Sequence, residues 1–379
     1  MTIIRLALRG FLHYWKISIC LCLGVTLASS ILTGSLFVGD SVDQTLRNSA
    51  FQRIGLVKSA LLAGDRFFTT VLAAKVKKSI QKNIISAAIN VPGTLNTPDK
   101  SKRVNRINVY GIDNVFWQLA GNSNHKLTIN DNNFLAIGSA LAEQKKLKIG
   151  DQIIIKVEMP GHVSRDAPLS GESGKLAAIS SEITHIVSAE DGGTFSLSAD
   201  QSSALNVFIP LKVLQEKLSK EDRANLILSS SSDTFQEAIQ DSWSYRDLEL
   251  DYISDTNSDI NFTTFQSDRV FISDKVEAAI MAVDNTAEPI LSYLVNDIRV
   301  KEKSVPYSVG TGIGPQSAKL LGIKVPRGNE VCIHHWLSDD TQKGGLDIGV
   351  GDTIDISYFS VINTREFTTV GDGLDEKGL

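Results

Sequence analysis

Cysteine is scarce in this chain, with three in 379 residues, and two of them, Cys20 and Cys22, sit inside one apolar run. Only Cys332 lies elsewhere, so no disulfide framework can form outside that run and folding must rest on an apolar core, for which a chain of this length has ample material. A surplus of positive charge is also missing: 38 Lys and Arg face 43 Asp and Glu, a net charge of −5. Without a Lys/Arg run interleaved with aromatics, that balance excludes nucleic acid as the expected partner. Disorder is excluded in turn, because 42% hydrophobic and 21% charged residues are proportions that fill and cover a folded core.

Signatures of catalysis are absent as well. Asp255 to Asp259 imitates the start of a calcium loop, but Ile260 stands where the loop needs glycine and Gln266 where it needs glutamate. Cys332, His334 and His335 are close in sequence, yet neighbouring strand residues face opposite ways and no second pair has metal spacing; a buried cysteine beside partly exposed histidines is expected. The stretch Gly310 to Gly314 lacks the third glycine of a dinucleotide fingerprint and the Lys-Ser/Thr of a phosphate loop, and with Pro315 it reads as a flexible loop. Asp241, Asp247, Glu249 and Asp251, near Trp243, read as a solvated acidic face. No G-x-S-x-G elbow occurs. The sequence therefore predicts no catalytic, cofactor-binding or metal-binding residue, and a protein that is not an enzyme.

What the chain does hold is an uncharged run from Ile17 to Val38. As a helix it measures about 33 Å, enough for the roughly 30 Å hydrocarbon layer. Gly24 and Ala28 form a small-xxx-small pair that a second helix could approach, although chance spacing in a lone anchor accounts for it equally well. Arg5, Arg9 and Lys16 precede the run and no acid appears before Asp40, so the positive-inside rule puts the N-terminus in the cytoplasm and the rest outside. The rival reading, a cleaved signal peptide, fits less well because its apolar core is about 7–15 residues and an A-x-A site should follow. Upstream, Ile4, Leu8, Phe11, Leu12 and Trp15 recur at helical spacing beside Arg5, Arg9, His13 and Lys16, which predicts a basic amphipathic helix lying on the lipid bilayer.

The expected divisions are thus an interfacial helix over 1–16, a transmembrane helix over 17–38 and an extracytoplasmic domain over 39–379, as one body or as two lobes near 39–205 and 206–379. Ser41-Val-Asp-Gln44 has the form of a capping box, so the span is expected to loosen at Gly39 and a new helix to begin, burying Val42, Leu46, Phe51 and Ile54. A helix is predicted from Thr69 to Lys82, then short strands from Ile84, among them Arg106 to Gly111, followed by a short loop or helix carrying Phe116 and Trp117. Gly161 to Ala204 reads as a long loop, Asn206 to Leu211 as a strand feeding the helix Leu211 to Leu218, Asn225 to Leu228 as a strand, and 235–243 and 268–282 as helices. A repeat is also present: Leu147 to Val157 and Ile348 to Tyr358 align on Gly150-Asp151 and Gly351-Asp352, each a tight turn feeding a period-2 strand. Ala140 to Lys148 and Trp336 to Asp347 occupy the place of a preceding helix, and the two helix–Gly-Asp-turn–strand units are expected to pack together. The fold class is mixed α+β behind an N-terminal transmembrane helix.

In this order the segments resemble the ABC-transporter permeases of the FtsX/MacB-like family. The resemblance is carried by the basic start, the single anchor, Gly39-Asp40-Ser41-Val42, Asn206 to Leu211, the Gly-Asp units, Ser267 to Ile272, Leu291 to Asn296 and Val305 to Ser308. It implies a periplasmic core domain in the bacterial inner membrane, a separate cytoplasmic ABC ATPase subunit as partner, a homo- or heterodimer of permeases, and no catalytic residue in this chain. It also implies further membrane helices after the outer domain; no second apolar span follows here, so the chain is expected to match the N-terminal part of such a permease and not to transport alone. The alternative is a single-pass, signal-anchored binding module with no ATPase partner.

Overall fold

A computed structural model describes residues 3–80, 83–121, 127–129, 133–160, 175–198, 202–232, 234–255, 262–267, 269, 272–339, 345–360 and 375–378. The chain opens with α1 (Ile3–His13), breaks at Tyr14, and continues as α2 (Trp15–Ile54), a helix of 40 residues with none buried. The break expected at Gly39 does not occur. A glycine inside a helix costs about 1 kcal/mol, which one position can lose while every neighbouring turn keeps its hydrogen bonds. Ser41 caps nothing: its carbonyl accepts the Thr45 hydroxyl at 2.7 Å, and Asp43 pairs with Arg47 one turn on at 2.8 Å. The face expected to be buried is open, with Val42 and Phe51 53% and 66% exposed; Ile54 is half-buried. Beyond Val38 the helix therefore stands clear as a stalk of about 24 Å.

After the stalk come β1 (Ser59–Leu62), β2 (Phe68–Thr69), α3 (Thr70–Ser79), β3 (Ile85–Asn96), β4 (Arg103–Ile112), α4 (Phe116–Ala120), β5 (Ala136–Gly138), α5 (Ser139–Lys145), β6 (Gln152–Glu158), β7 (Leu176–Glu182) and β8 (His185–Val187). They are followed by β9 (Asn206–Pro210), α6 (Leu211–Leu218), β10 (Arg223–Ala224), β11 (Leu226–Ser229) and α7 (Phe235–Ser242). A nine-stranded sheet runs β1-β11-β3-β4-β9-β5-β8, and β6 joins β3 and carries β7. Because β9 and β11 belong to this sheet, residue 205 falls inside it and not between two sheets. The excursion expected to be a loop contains two of its strands: β7 pairs with β6, and β8 with β5. Their small and polar residues hide the alternation that buries Ala177 and Ile179.

Both faces of the sheet are covered. Ile107, Val109, Val207 and Ile209 face a core closed by Leu141 of α5 and by Leu214 and Leu218 of α6. One residue out of step, Tyr110, Ile112 and Phe208 face an aromatic core with Phe116 and Trp117 of α4 and Phe195. Period 2 places alternate residues on opposite sides, so the central strands read as unbroken apolar runs. The Tyr110 and Phe208 rings stack with centroids 5.6 Å apart, and burial pushes the Tyr110 hydroxyl pKa well up.

The rest of the chain builds smaller units: the hairpin β12 (Leu250–Asp255) and β13 (Phe262–Ser267), α8 (Asp274–Val283), β14 (Leu291–Val300), β15 (Lys303–Gly312), α9 (Pro315–Leu320), α10 (His335–Ser338), β16 (Asp355–Ser360) and β17 (Asp375–Gly378). A second sheet runs β15-β14-β16-β17 over a small core of Val295, Ile298, Val305, Leu337 and Leu346.

The two Gly-Asp turns are the same device. Gly150 and Gly351 have φ of 93° and 101°, and the following aspartate carboxylate accepts the N–H two residues before the glycine, Lys148 at 2.9 Å and Gly349 at 2.8 Å. The units do not pair, however, because β6 lies in the large sheet and β16 in the small one. The second also has only the four-residue α10 in place of a full helix, with 340–344 outside the described residues. A turn motif sets local geometry; long-range pairing is set by which strand edges are left open.

Candidate functional site

The place where α2 meets the large sheet is built around Gly55. This residue ends the helix at φ 60° and ψ −126°, a conformation that only glycine adopts without strain. A Cβ there would stand 2.4 Å from the Leu119 carbonyl oxygen and 2.8 Å from that of Ala120, so the absence of a side chain lets the helix end rest on the C-terminus of α4. Leu56 N donates to Leu119 O at 2.7 Å, Val57 is buried in the aromatic core, and Lys58 N donates to Ser229 O at 2.9 Å. Within four residues the chain passes from stalk to sheet, and β1 then pairs with β11 in register Ser59 to Ser229. Displacement of α2 would load α4 and the β1 edge directly.

A second feature ties the later part of the chain to the same body. Arg269, which follows β13, places Nε 2.6 Å from Glu249, Nη1 3.4 Å from the Asp65 carboxylate and Nη2 2.8 Å from the Asp65 carbonyl. Burial opposes the Arg269 charge, but the two carboxylates outweigh it and raise its pKa. Glu249 also accepts Phe67 N at 3.2 Å and lies 3.9 Å from Lys220 Nζ. Asp247, buried, takes the Thr69 N–H at 3.0 Å, the Thr69 hydroxyl, and the Ser244 N–H and hydroxyl at 2.9 and 2.7 Å. Two of the four acids expected on a solvated face are therefore fasteners between distant segments. Sequence spacing gave no sign of this, since their partners Phe67 and Thr69 lie some 180 residues away.

The other stretches singled out for chemistry fall apart or serve the fold. Cys332 is exposed, contrary to expectation, with Sγ 3.8 Å from Lys324 O; the chain around it is irregular and has no layer to cover it. The exposed His334 accepts Trp336 N through Nδ1 at 3.1 Å. Among the described residues no three His, Cys, Asp or Glu side chains converge to hold a metal. Gly310 to Gly312 complete β15 in place of the expected loop, paired with Leu291 to Tyr293, and Pro315 opens α9. The exposed N–H groups of α9 are taken by the chain itself: Gln316 N and Ser317 N each donate to Glu288 at 2.7 Å. Desolvation raises the Glu288 pKa, but these N–H groups outweigh it and leave it below the usual value. The calcium-like stretch is outside the described residues from 256 to 261.

No family model matches the sequence, and no curated protein matches it. Among solved structures, the chain is similar to the periplasmic region of MacB from Actinobacillus actinomycetemcomitans, with 13% identity, a TM-score of 0.32, and 58% of this chain and 90% of that one covered. It is also similar to the extracellular domain of the noncanonic ABC-type transporter YknZ from Gram-positive bacteria, with 13% identity, a TM-score of 0.30, and coverage of 48% and 88%. Likeness at that level assigns neither a family nor an activity.

Proposed function

We infer that the chain is the N-terminal part of an ABC-type permease subunit: a membrane helix and an extracytoplasmic domain that receives movement from a cytoplasmic ATPase and passes it to the outer face. The observation that carries this reading is the unbroken α2, which contains the whole apolar span and continues to a glycine joint set against α4 and the large sheet. A simple anchor needs only the span, and usually a yielding linker after it; here the connection is stiff. The basic α1 lies on the cytoplasmic side, where it would meet the headgroups and the ATPase, and permease subunits would pair as a dimer through their membrane helices. Cargo or partners would bind the outer domain.

The test is photo-crosslinking from α1 in native membranes, with a benzophenone amino acid at Arg9. The proposal expects adducts to a nucleotide-binding ABC ATPase subunit. If the probe captures lipid alone while the protein stays folded, the permease reading fails and the signal-anchored binding module replaces it.

A further inference from the structure

β3 fixes the direction of the large sheet. It starts at Ile85, level with Ser229 and hence with Ser59, where the chain has just left the stalk, and runs to Asn96. At 3.3 Å per residue its far end is about 40 Å from the joint, so the turn from Thr97 to Lys102 forms the pole opposite α2. An open groove of about 690 Å³ lies at this pole, on the outer faces of β3, β4, β6 and β7. Its shape follows from the register shift between Gly93 and Leu95, a bulge that adds twist to β3. Gly93 permits it, because a Cβ there would meet Val109 Cγ2 at 2.9 Å and Lys156 O at 3.0 Å.

The lining mixes cations with an apolar floor. Lys100, Arg103 and Lys156 are exposed on the walls, while Pro92, Ile154 and Leu176 supply apolar surface. Among the described residues of the lining the one carboxylate is Glu158, at the end of β6. Next to the groove the pole adds Lys102, whose Nζ donates to Lys146 O at 2.8 Å, and the exposed Lys146 and Lys148. Of the other acids at the pole, Asp99 is held by Thr97 and by Ser101 N at 3.2 Å and Asp151 by Lys148 N at 2.9 Å, while Glu182 lies beside the Gly150 turn. In a chain of net charge −5 this concentration of positive charge is a local feature, and it lies far from the bilayer entered by α2. Among the described residues no aromatic ring lines the groove, so they offer no stacking platform of the kind a sugar chain uses. Sheet faces present side chains at a two-residue period, and cations beside apolar positions match an extended peptide of acidic and apolar residues.

We propose that this groove at the pole opposite the membrane helix is a docking site for an extended acidic peptide segment of a partner protein, its carboxylates meeting Lys100, Arg103 and Lys156 and its apolar residues resting on Ile154 and Leu176. The site goes beyond the permease reading and stands whether or not an ATPase couples to the chain. The experiment uses the full chain in nanodiscs and a short fluorescent peptide of alternating Glu and Leu, followed by anisotropy. Binding is expected, weakening as salt rises, and about tenfold weaker in the Arg103→Glu, Lys156→Glu variant. The same charge change on α3, Lys77→Glu with Lys78→Glu, should leave it unchanged. Both altered sites are exposed, and an unshifted thermal transition shows that each variant is folded; Arg103→Gln with Lys156→Gln serves if the reversal is not. Equal binding by the groove variant, equal binding of a Lys and Leu peptide, or binding of heparin without binding of the acidic peptide overturns the proposal.

Discussion

Replacing Gly55 by alanine should loosen the joint between stalk and sheet more than any other single methyl group in α2. Holding a non-glycine residue at φ 60° and ψ −126° costs about 1–3 kcal/mol. The new Cβ, 2.4 Å from Leu119 O, forces α4 back and breaks the 2.7 Å bond from Leu56 N, worth about 1 kcal/mol more. The sum, about 2–4 kcal/mol, lowers the thermal transition of the outer domain by roughly 5–15 °C. Circular dichroism of the nanodisc-embedded protein reads that shift, and trypsin should cut faster after Arg53. Gly39→Ala is the control: its Cβ meets nothing within 4 Å and alanine is the better helix former, so stability should hold or rise by up to about 1 kcal/mol. A Gly55→Ala protein that melts with the wild type would refute the close-contact reasoning.

Arg269→Met removes the ion pairs to Glu249 and Asp65 and leaves a carboxylate largely buried; a loss of about 3 kcal/mol is expected by urea titration, and an unchanged midpoint would show that the cluster fastens nothing. The Asp99 carboxylate, held by the Ser101 and Thr97 side chains, titrates near 2 against an ordinary 3.8. Its folded pKa is depressed, so the turn keeps this contribution in full above the ordinary value and loses it as pH falls through about 2. Carbon NMR of that carboxyl should show it, and a midpoint near the ordinary value would contradict the bonding. Cys332 is exposed, and in the proposed topology it lies outside while Cys20 and Cys22 lie in the span, so a membrane-impermeant maleimide should label intact spheroplasts at Cys332 alone. Labelling only after lysis would reverse the topology.

Where the controlling interactions are local, the sequence reads well. The uncharged run, the helix at Thr70–Ser79, the strand at Arg103–Ile112, the strand ending in Pro210 that feeds α6, and both Gly-Asp turns follow from spacing and turn chemistry. What escaped depends on distance. Gly39 and the Ser41 box suggest a stop, but a stop signal competes with the cooperative ladder of a long helix, and the ladder wins. Asp247 and Glu249 look solvated because nothing near them in sequence reveals the Thr69 and Arg269 that bury them. The role of Gly55 rests on the carbonyls of Leu119 and Ala120, which lie some 65 residues downstream. The groove was illegible for the same reason, since Lys100 and Arg103, at the turn into β4, are joined by Lys156 from the distant β6.

The account depends on α2 being one stiff rod from the membrane to the joint. Spin labels at Ser35→Cys and Gln52→Cys, with the native cysteines replaced by serine, measure this by double electron–electron resonance in nanodiscs. An unbroken helix predicts a narrow distribution centred near 26 Å between backbone positions at 1.5 Å per residue. A broad or markedly shorter distribution, as a break at Gly39 would give, contradicts the account.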